Sequence, residues 1–287
     1  MKKTIPFAVV ALFCMNAYSF EWPNANTEAN SFSSEFGQHR GGVIDSSLVY
    51  KEPSEVFTTD EGDAIIVISE HGNEFGWFES TLGSSVIISH TDGLSTVYAN
   101  LDEKTIAPKI GEKFFIDGKE LLASSGDSAW QAENNGLEFK VYDVTNHAAV
   151  NPRLLMPRMQ KELPLEMGAI TFYDNNNVAH NVTAEKRLPS GVYSIYRTRQ
   201  ANLVPYKTIV SVNGTSKETI VFDTLKENSG KLGINGNGHY SAGELYPDNE
   251  RQLLAKIHLA KGQNTITLTL MNFQETPVST TYRLDIY

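Results

Sequence analysis

The sequence contains a single cysteine, Cys14, among 287 residues. One thiol can form neither an internal disulfide nor a cysteine-rich metal site, so the fold must be held together by its hydrophobic core. Basic residues are also in the minority, because 24 Lys+Arg against 34 Asp+Glu give a formal net charge of −10. An acidic surface repels the phosphate backbone, and the sequence therefore predicts that no nucleic acid is bound.

Several motifs of enzyme chemistry are missing. The sequence has no Gly-x-x-x-x-Gly-Lys-Ser/Thr phosphate loop and no Gly-x-Ser-x-Gly turn that would present a nucleophilic serine. No two histidines are two, three or four residues apart, and the seven of them are His39, His71, His90, His147, His180, His239 and His258. Local metal motifs need such spacings, so we interpret these residues as isolated histidines that are exposed or hydrogen-bonded.

A long apolar run is present only at the N-terminus. Lys2 and Lys3 precede the run Ile5–Met15, and Ala17 and Ser19 place small residues at the two positions that a signal peptidase reads. The run is shorter than the roughly 20 apolar residues that span a bilayer. We interpret residues 1–19 as a cleaved secretory signal, which predicts an exported protein of the bacterial periplasm or cell envelope with no integral membrane segment after cleavage.

The rest of the chain has the pattern of an all-β protein, with 21 glycines and 11 prolines spread between short apolar runs. Four β-rich runs lie in the first half, at Asp63–Ser69, Ser84–His90, Leu94–Ala99 and Leu137–Tyr142. The pattern lapses in a segment with three prolines and several charges, Asn151–Glu166. We therefore predict a first domain over 20–157, a linker over 158–167 and a second domain over 168–287.

The second domain is predicted to be an immunoglobulin-like β-sandwich, because seven short strands fit into about 120 residues. These strands are Ala169–Tyr173, Gly191–Tyr196, Lys207–Val212, Glu218–Phe222, Leu253–Leu259, Asn264–Leu270 and Thr280–Ile286. In the sixth, Ile266, Leu268 and Leu270 alternate with threonines. Such alternation predicts one buried face and one solvated face.

The first domain resembles the lysostaphin/LytM-type zinc endopeptidases of bacterial cell walls over roughly residues 32–157. The most specific part is Gly83–Leu101, a strand, an Asp-Gly turn and a second strand that ends Tyr-Ala-Asn-Leu. Further matches are Phe36-Gly37, Ile110-Gly111, Gly118, Ser125-Gly126, Gly136–Val141 and Val150-Asn-Pro152. The resemblance implies an open antiparallel LytM-like β-sheet domain with a groove.

The resemblance also implies a site chemistry, and this sequence departs from it at every position. In the family, zinc is held by a His and an Asp four residues apart and by the second His of a His-x-His strand, while two further histidines act on the metal-bound water. Here the ligand positions hold Asp45, Val49 and Glu138, and the catalytic positions hold Asn100 and Gly136. Starting the early motif at His39 instead places Val43 at the Asp position, and a hydrocarbon cannot bind zinc.

We therefore expect a degenerate, non-catalytic member of the family with no metal and no other cofactor. The implied partners are peptidoglycan, a cell-wall hydrolase or another envelope protein. The expected groove positions are Asp45, Asn100, Gly136 and Glu138.

Two alternatives stay open. The protein could be a zinc metalloendopeptidase that cleaves peptidoglycan cross-links with an unusual ligand set, or the β-sandwich could be an adhesion or assembly module with the first domain as a spacer. Five aromatic residues could line a glycan or peptide surface, although core packing is at least as good an interpretation: Trp22, Phe75, Trp77, Phe78 and Trp130.

Overall fold

The computed structural model describes residues 20–68, 80–107, 110, 114–129 and 136–287. This part of the chain is built almost entirely of β-strands in antiparallel sheets, which confirms the all-β prediction. The predicted signal segment, residues 1–19, lies outside the described residues. The same holds for His71, Phe75, Trp77, Phe78 and Trp130.

The described residues of the first half of the chain contain twelve short strands. They are β1 Phe32–Ser34, β2 His39–Arg40, β3 Val43–Ile44, β4 Ser47–Tyr50, β5 Glu55–Phe57, β6 Gly62–Ile68, β7 Ser85–Ser89, β8 Leu94–Ala99, β9 Phe115–Ile116, β10 Leu121–Ser124, β11 Glu138–Asp143 and β12 Ala148–Val150. Two 3-10 helices, Glu103–Thr105 and Pro152–Leu154, accompany them.

Strand β11 is the centre of the main sheet. One of its edges pairs with β8 along its whole length, and the other pairs with β4 at Glu138–Lys140 and with β12 at Val141–Asp143. Strands β7, β6 and β9 follow beyond β8. The alternating apolar residues of these strands fill one core, with Val86, Ile88 and Phe139 completely buried.

The second half contributes twelve further strands and one short helix. They are β13 Ile170–Tyr173, β14 Ala179–His180, β15 Arg187–Leu188, β16 Gly191–Thr198, β17 Lys207–Val212, β18 Thr215–Val221, β19 Thr224–Asn228, β20 Lys231–Asn235, β21 His239–Ser241, α1 Ala242–Leu245, β22 Arg251–Leu259, β23 Gly262–Met271 and β24 Pro277–Ile286.

Nine of these strands form a sandwich. A four-stranded sheet of order β14-β13-β16-β22 packs on a five-stranded sheet of order β15-β24-β23-β17-β18 around a second core. Ile266, Leu268 and Leu270 are fully buried in that core, whereas Thr267 and Thr269 on the opposite face bond to Thr281 and Ser279 of β24. The predicted alternation is thus confirmed. No helix in the described ranges is long and apolar enough to span a bilayer.

The remaining three strands leave the sandwich and extend the first sheet. After β18 the chain crosses over, and β19 pairs antiparallel with β12 while β20 and β21 continue the same sheet outward. Asn151 fixes the crossing, since its backbone N–H donates to Asp223 O (2.7 Å) and its Nδ2 to Phe222 O (2.7 Å). The sheet therefore contains strands from both halves of the sequence.

A buried ion cluster lies near this crossing. The Arg153 guanidinium is 3.1 Å from Glu35 Oε1 and 2.6 Å from Glu162 Oε2, and all three side chains are at most 5% exposed. The Phe273 ring lies 4.2 Å from the Arg153 Cζ atom. The cluster links Glu35, which directly follows β1, and the 3-10 helix Pro152–Leu154 to the predicted linker and to the sandwich loop before β24.

Candidate functional site

The positions that the family resemblance singles out come together at the middle of the first sheet. Glu138 of β11 is the direct cross-strand partner of Val49 in β4 and of Ala99 in β8. Asn100 follows Ala99, and Asp45 lies two residues before β4. One side chain connects the two carboxylates, because Arg40 NH1 is 3.4 Å from Asp45 Oδ2 and 3.5 Å from Glu138 Oε2.

Asp45 is buried and fully engaged. Ser34 Oγ donates to Oδ2 at 2.6 Å, while the Oγ and backbone N–H of Ser47 donate to Oδ1 at 2.5 and 2.9 Å. Together with Arg40, these donors take up the roughly four acceptor sites of a carboxylate. Asp45 therefore has no lone pair left to offer to a further ligand.

Glu138 is held by cations on both oxygens. Lys140 stands two residues further along β11 and thus on the same face, and its Nζ is 2.9 Å from Glu138 Oε1. Burial by itself raises the pKa of the Glu138 carboxyl, but the charges of Lys140 and then Arg40 outweigh it and hold the pKa below its ordinary value. For Lys140, burial lowers the pKa, and the Glu138 charge outweighs that effect and raises it.

The Asn100 side chain hydrogen-bonds to two backbone segments. Its backbone has a φ of 61°, a left-handed conformation in which asparagine is enriched. Its Nδ2 donates to Gly136 O at 2.8 Å, and its Oδ1 accepts from Ala129 N at 2.9 Å. The side chain is completely buried and bonds to both Ala129 and Gly136.

Gly136 has no room for a side chain. A Cβ atom at this position would lie 1.9 Å from Tyr50 O and 2.4 Å from Tyr50 C, far inside van der Waals contact. The neighbouring backbone is itself tied down, because Tyr50 N donates to Leu137 O at 2.9 Å. The place where the family carries its catalytic histidine is filled by the main chain of β4.

This donor set does not fit a catalytic zinc ion. Such an ion takes about three nitrogen, sulfur or carboxylate ligands and keeps one position open for water. Here Val49 and Gly136 offer no donor atom, and Asp45 and Glu138 are already neutralised by two cations that would repel Zn²⁺. Within the described ranges, no group of three or more His, Cys, Asp or Glu side chains is arranged to hold a metal.

The four expected groove positions, Asp45, Asn100, Gly136 and Glu138, are all buried. Arg40, with 37% of its side chain exposed, is more exposed than Lys140, which has 17% of its side chain exposed. It projects from the hairpin β2–β3, which turns through Gly41 and Gly42, both with positive φ. A ligand that approaches Asp45 or Glu138 from this hairpin therefore has to displace the Arg40 guanidinium.

The network also contains Arg40 and Lys140, which the sequence analysis did not name as site residues. Lys140 is signalled by alternation, because it shares a face with Glu138 on a predicted strand. Arg40 carries no such signal, since only the fold of the β2–β3 hairpin brings it to Glu138, 98 residues away.

His90 and His180 have their own hydrogen-bond partners, which do not belong to this network. His90 is 7% exposed, with Nδ1 2.8 Å from Glu61 O and Nε2 2.9 Å from Thr96 Oγ1, and the Phe20 ring packs on it. His180 lies beside two acids, with Nδ1 2.9 Å from Glu185 Oε2. Asp174 Oδ2 is 3.7 Å from its other nitrogen, a pairing that the sequence spacing did not reveal.

The charges on Glu138 predict a pH dependence of stability. Because its pKa is lower in the folded state than in the unfolded state, ionised Glu138 stabilises the fold above the unfolded pKa of about 4.3. That contribution is lost as the pH falls through the folded pKa. We expect Glu138→Gln to flatten the acid limb of a plot of unfolding free energy against pH, measured by urea denaturation from pH 3 to 7. Exposed Glu227→Gln is the control, and equal acid limbs for Glu138→Gln and the parent would contradict the prediction.

Comparisons with known proteins give matches to both sequence and structure. A protein-family model without a functional description matches residues 164–287. An uncharacterized protein of Treponema pallidum (strain Nichols) is 30% identical over 125 residues, which are 41% of this chain and 82% of that protein.

Similar solved structures include a chain of the SpoIIIAH–SpoIIQ complex, with a TM-score of 0.37 and 18% identity over 48% of this chain and 99% of that chain. Another is the catalytic domain of the prophage-encoded M23 protein EnpA from Enterococcus faecalis, with a TM-score of 0.32 and 19% identity over 42% of this chain and 87% of that chain.

Proposed function

The chain belongs to the same family as the Treponema pallidum protein, and we propose that it is an exported, non-catalytic LytM-like protein of the bacterial envelope. It binds peptidoglycan or docks onto a cell-wall hydrolase and controls it. One observation carries the proposal. The positions that correspond to the metal ligands of LytM-type peptidases come together, but the Arg40 and Lys140 cations neutralise the carboxylates there.

The loss of catalysis follows from several changes at once. Removing a positioned general acid or base alone costs roughly 10²–10⁴-fold in rate. Here Asn100 is locked into two hydrogen bonds and Gly136 faces the Tyr50 main chain, so neither position supplies a proton-transfer group. A recognition role does not need these groups, because the sheet and its walls remain.

The domain organisation is part of the proposal. A LytM-like unit over 20–157, a linker over 158–167 and an immunoglobulin-like unit over 168–287 form one working protein, because β19–β21 of the second unit pair with β12 of the first. A fragment that starts at the linker would leave β19 without its partner strand. Binding experiments therefore use the full mature chain.

The test combines metal content, hydrolysis and binding. We expect protein purified without chelators to contain well under one zinc per chain by elemental analysis, and to release no fragments from purified sacculi with or without added zinc. We expect the same protein to co-sediment with sacculi or to capture a wall hydrolase. Stoichiometric zinc with chelator-sensitive release of fragments would overturn the proposal in favour of a metalloendopeptidase. Failure to bind either sacculi or a hydrolase would overturn the proposed partners.

A further inference from the structure

A cleft lined by Trp22 and by residues other than those of the Asp45–Glu138 network is not used by the proposed function. It has a volume of about 760 Å³ and lies between residues 26–30 and residues 157–163, with Trp22 in its wall. Sites for small ligands typically span roughly 300–1,000 Å³, so the cleft has room for a short peptide or a comparable molecule.

Trp22 gives the cleft a rigid aromatic wall. Its Nε1 donates to Pro157 O at 3.0 Å, and its ring lies 6.2 Å from the Phe32 ring at the edge of the core. The indole is therefore fixed in orientation while it remains partly exposed. A fixed aromatic surface adds contact area to a ligand with little further loss of side-chain entropy.

The opposite wall offers free backbone groups. No described residue accepts a hydrogen bond from the backbone N–H groups of Lys161, Glu162 or Leu163, and residues 161–169 have no regular secondary structure. Main-chain N–H groups without a protein acceptor are strong donors, and beside a cleft they can donate to the carbonyl or carboxylate oxygens of a bound peptide.

The charges of the cleft favour a dipolar ligand. Glu162 lies 2.6 Å from Arg153, which it shares with Glu35, and only 5% of the Glu162 side chain is exposed. The exposed charges of this wall are the basic side chains of Arg158 and Lys161. On the facing wall, Glu28 is exposed. A carboxylate beside Arg158 and Lys161 and an amino group beside Glu28 would complement both walls.

We propose that this cleft binds a short extended peptide that carries both a carboxylate and an amino group. The peptide stacks on Trp22, bonds to the main chain of residues 161–163 and places its carboxylate at Arg158 and Lys161. This inference rests on the proposed function, because the wall's cross-linking peptides are the source of the peptide. It locates recognition away from the Asp45–Glu138 network.

The test uses the full mature chain with the double variant Arg158→Glu/Lys161→Glu. The matched control is Lys217→Glu/Lys231→Glu, which makes the same charge change at two exposed lysines outside the cleft. Binding is measured to intact sacculi, to soluble peptides released from them and to glycan strands stripped of peptide. Urea denaturation checks that both variants are folded.

We expect the cleft variant to bind sacculi and soluble peptides at least about tenfold more weakly than the parent, because it loses the charge-assisted contacts to the carboxylate and places two acids beside it. The control variant should bind within about twofold of the parent, and stripped glycan should not bind.

If the parent binds sacculi and the cleft variant binds equally well, the inference is wrong while the proposed function stands. Equal binding of stripped glycan would also overturn the inference. If the parent binds no sacculi, the wall-binding function itself fails, and the wall peptide is ruled out as the ligand.

Discussion

Replacing Arg153 with methionine is expected to lower the free energy of unfolding by about 3–5 kcal/mol at pH 7. Arg153 is 4% exposed and compensates two buried carboxylates, Glu35 at 3.1 Å and Glu162 at 2.6 Å. Without the guanidinium, both acids remain in a medium of low polarity with no cation between them. The Phe273 ring also loses the cation 4.2 Å from its centre.

The loss of unfolding free energy in Arg153→Met should be smaller at low pH than at pH 7. Burial raises the pKa of the Glu35 carboxyl above its ordinary value, and the Arg153 charge is the main effect that opposes this rise. In Arg153→Met the folded-state pKa of Glu35 should rise further, so the folded state binds more protons than the unfolded state at pH values above the unfolded pKa of about 4.3. Stability then falls as the pH rises through this window, and lowering the pH from 7 to 5 should recover part of the loss.

Urea denaturation at pH 5, 6 and 7 measures this effect, and two variants serve as controls. The triple variant Glu35→Gln/Arg153→Met/Glu162→Gln removes all three charges and should be more stable at pH 7 than Arg153→Met alone. Exposed Arg283→Met should change the unfolding free energy by no more than about 0.5 kcal/mol. A loss below about 1 kcal/mol in Arg153→Met would show that the cluster is not tightly coupled.

Much of the strand layout is visible in the sequence. Runs such as Leu94–Ala99 and Lys207–Val212 are strands with the predicted bounds, because β-branched residues alternate there between clear turn signals. Local patterns did not reveal where β19–β21 pair. In β19, Leu225 is buried, but Lys226, Glu227 and Asn228 are polar and exposed, and pairing with β12 depends on a crossing that only the assembled sheet defines.

The sequence likewise predicts some features of the candidate site and not others. The proximity of Val49 and Glu138 could be anticipated, because the family resemblance assigns both to one site, and the register places them directly opposite. The position of the Arg40 cation beside Glu138 could not be anticipated from the sequence. Arg40 lies in a two-residue strand, and its contact with Glu138 depends on the Gly41–Gly42 turn and the packing of His39 against Tyr246. Side chains that meet through tertiary packing leave no periodic signal in the chain.

The same packing argument gives a strong prediction for Gly136. Substitution with alanine should lower the unfolding free energy by at least about 3 kcal/mol, because the added Cβ would meet the Tyr50 carbonyl oxygen at 1.9 Å. Tyr50 cannot simply move away, since its N–H is bonded to Leu137 O and its ring packs on Phe32. Gly191→Ala is the control, because no atom lies within 4 Å of the added Cβ there, and it should change stability by less than about 1 kcal/mol.

A variant that carries the LytM-type residues at all five positions is therefore expected not to fold, whatever its intrinsic affinity for the metal. In a variant that carries Asp45→His, Val49→Asp, Asn100→His, Gly136→His and Glu138→His, the imidazole at position 136 has no space beside the β4 main chain. The new histidine at position 100 also removes the side-chain bonds to Gly136 and Ala129. We expect this variant to be insoluble or to lack a cooperative unfolding transition. A soluble, folded variant with one zinc per chain would mean that β4 moves aside readily, and that the side chains at these five positions alone keep zinc from binding.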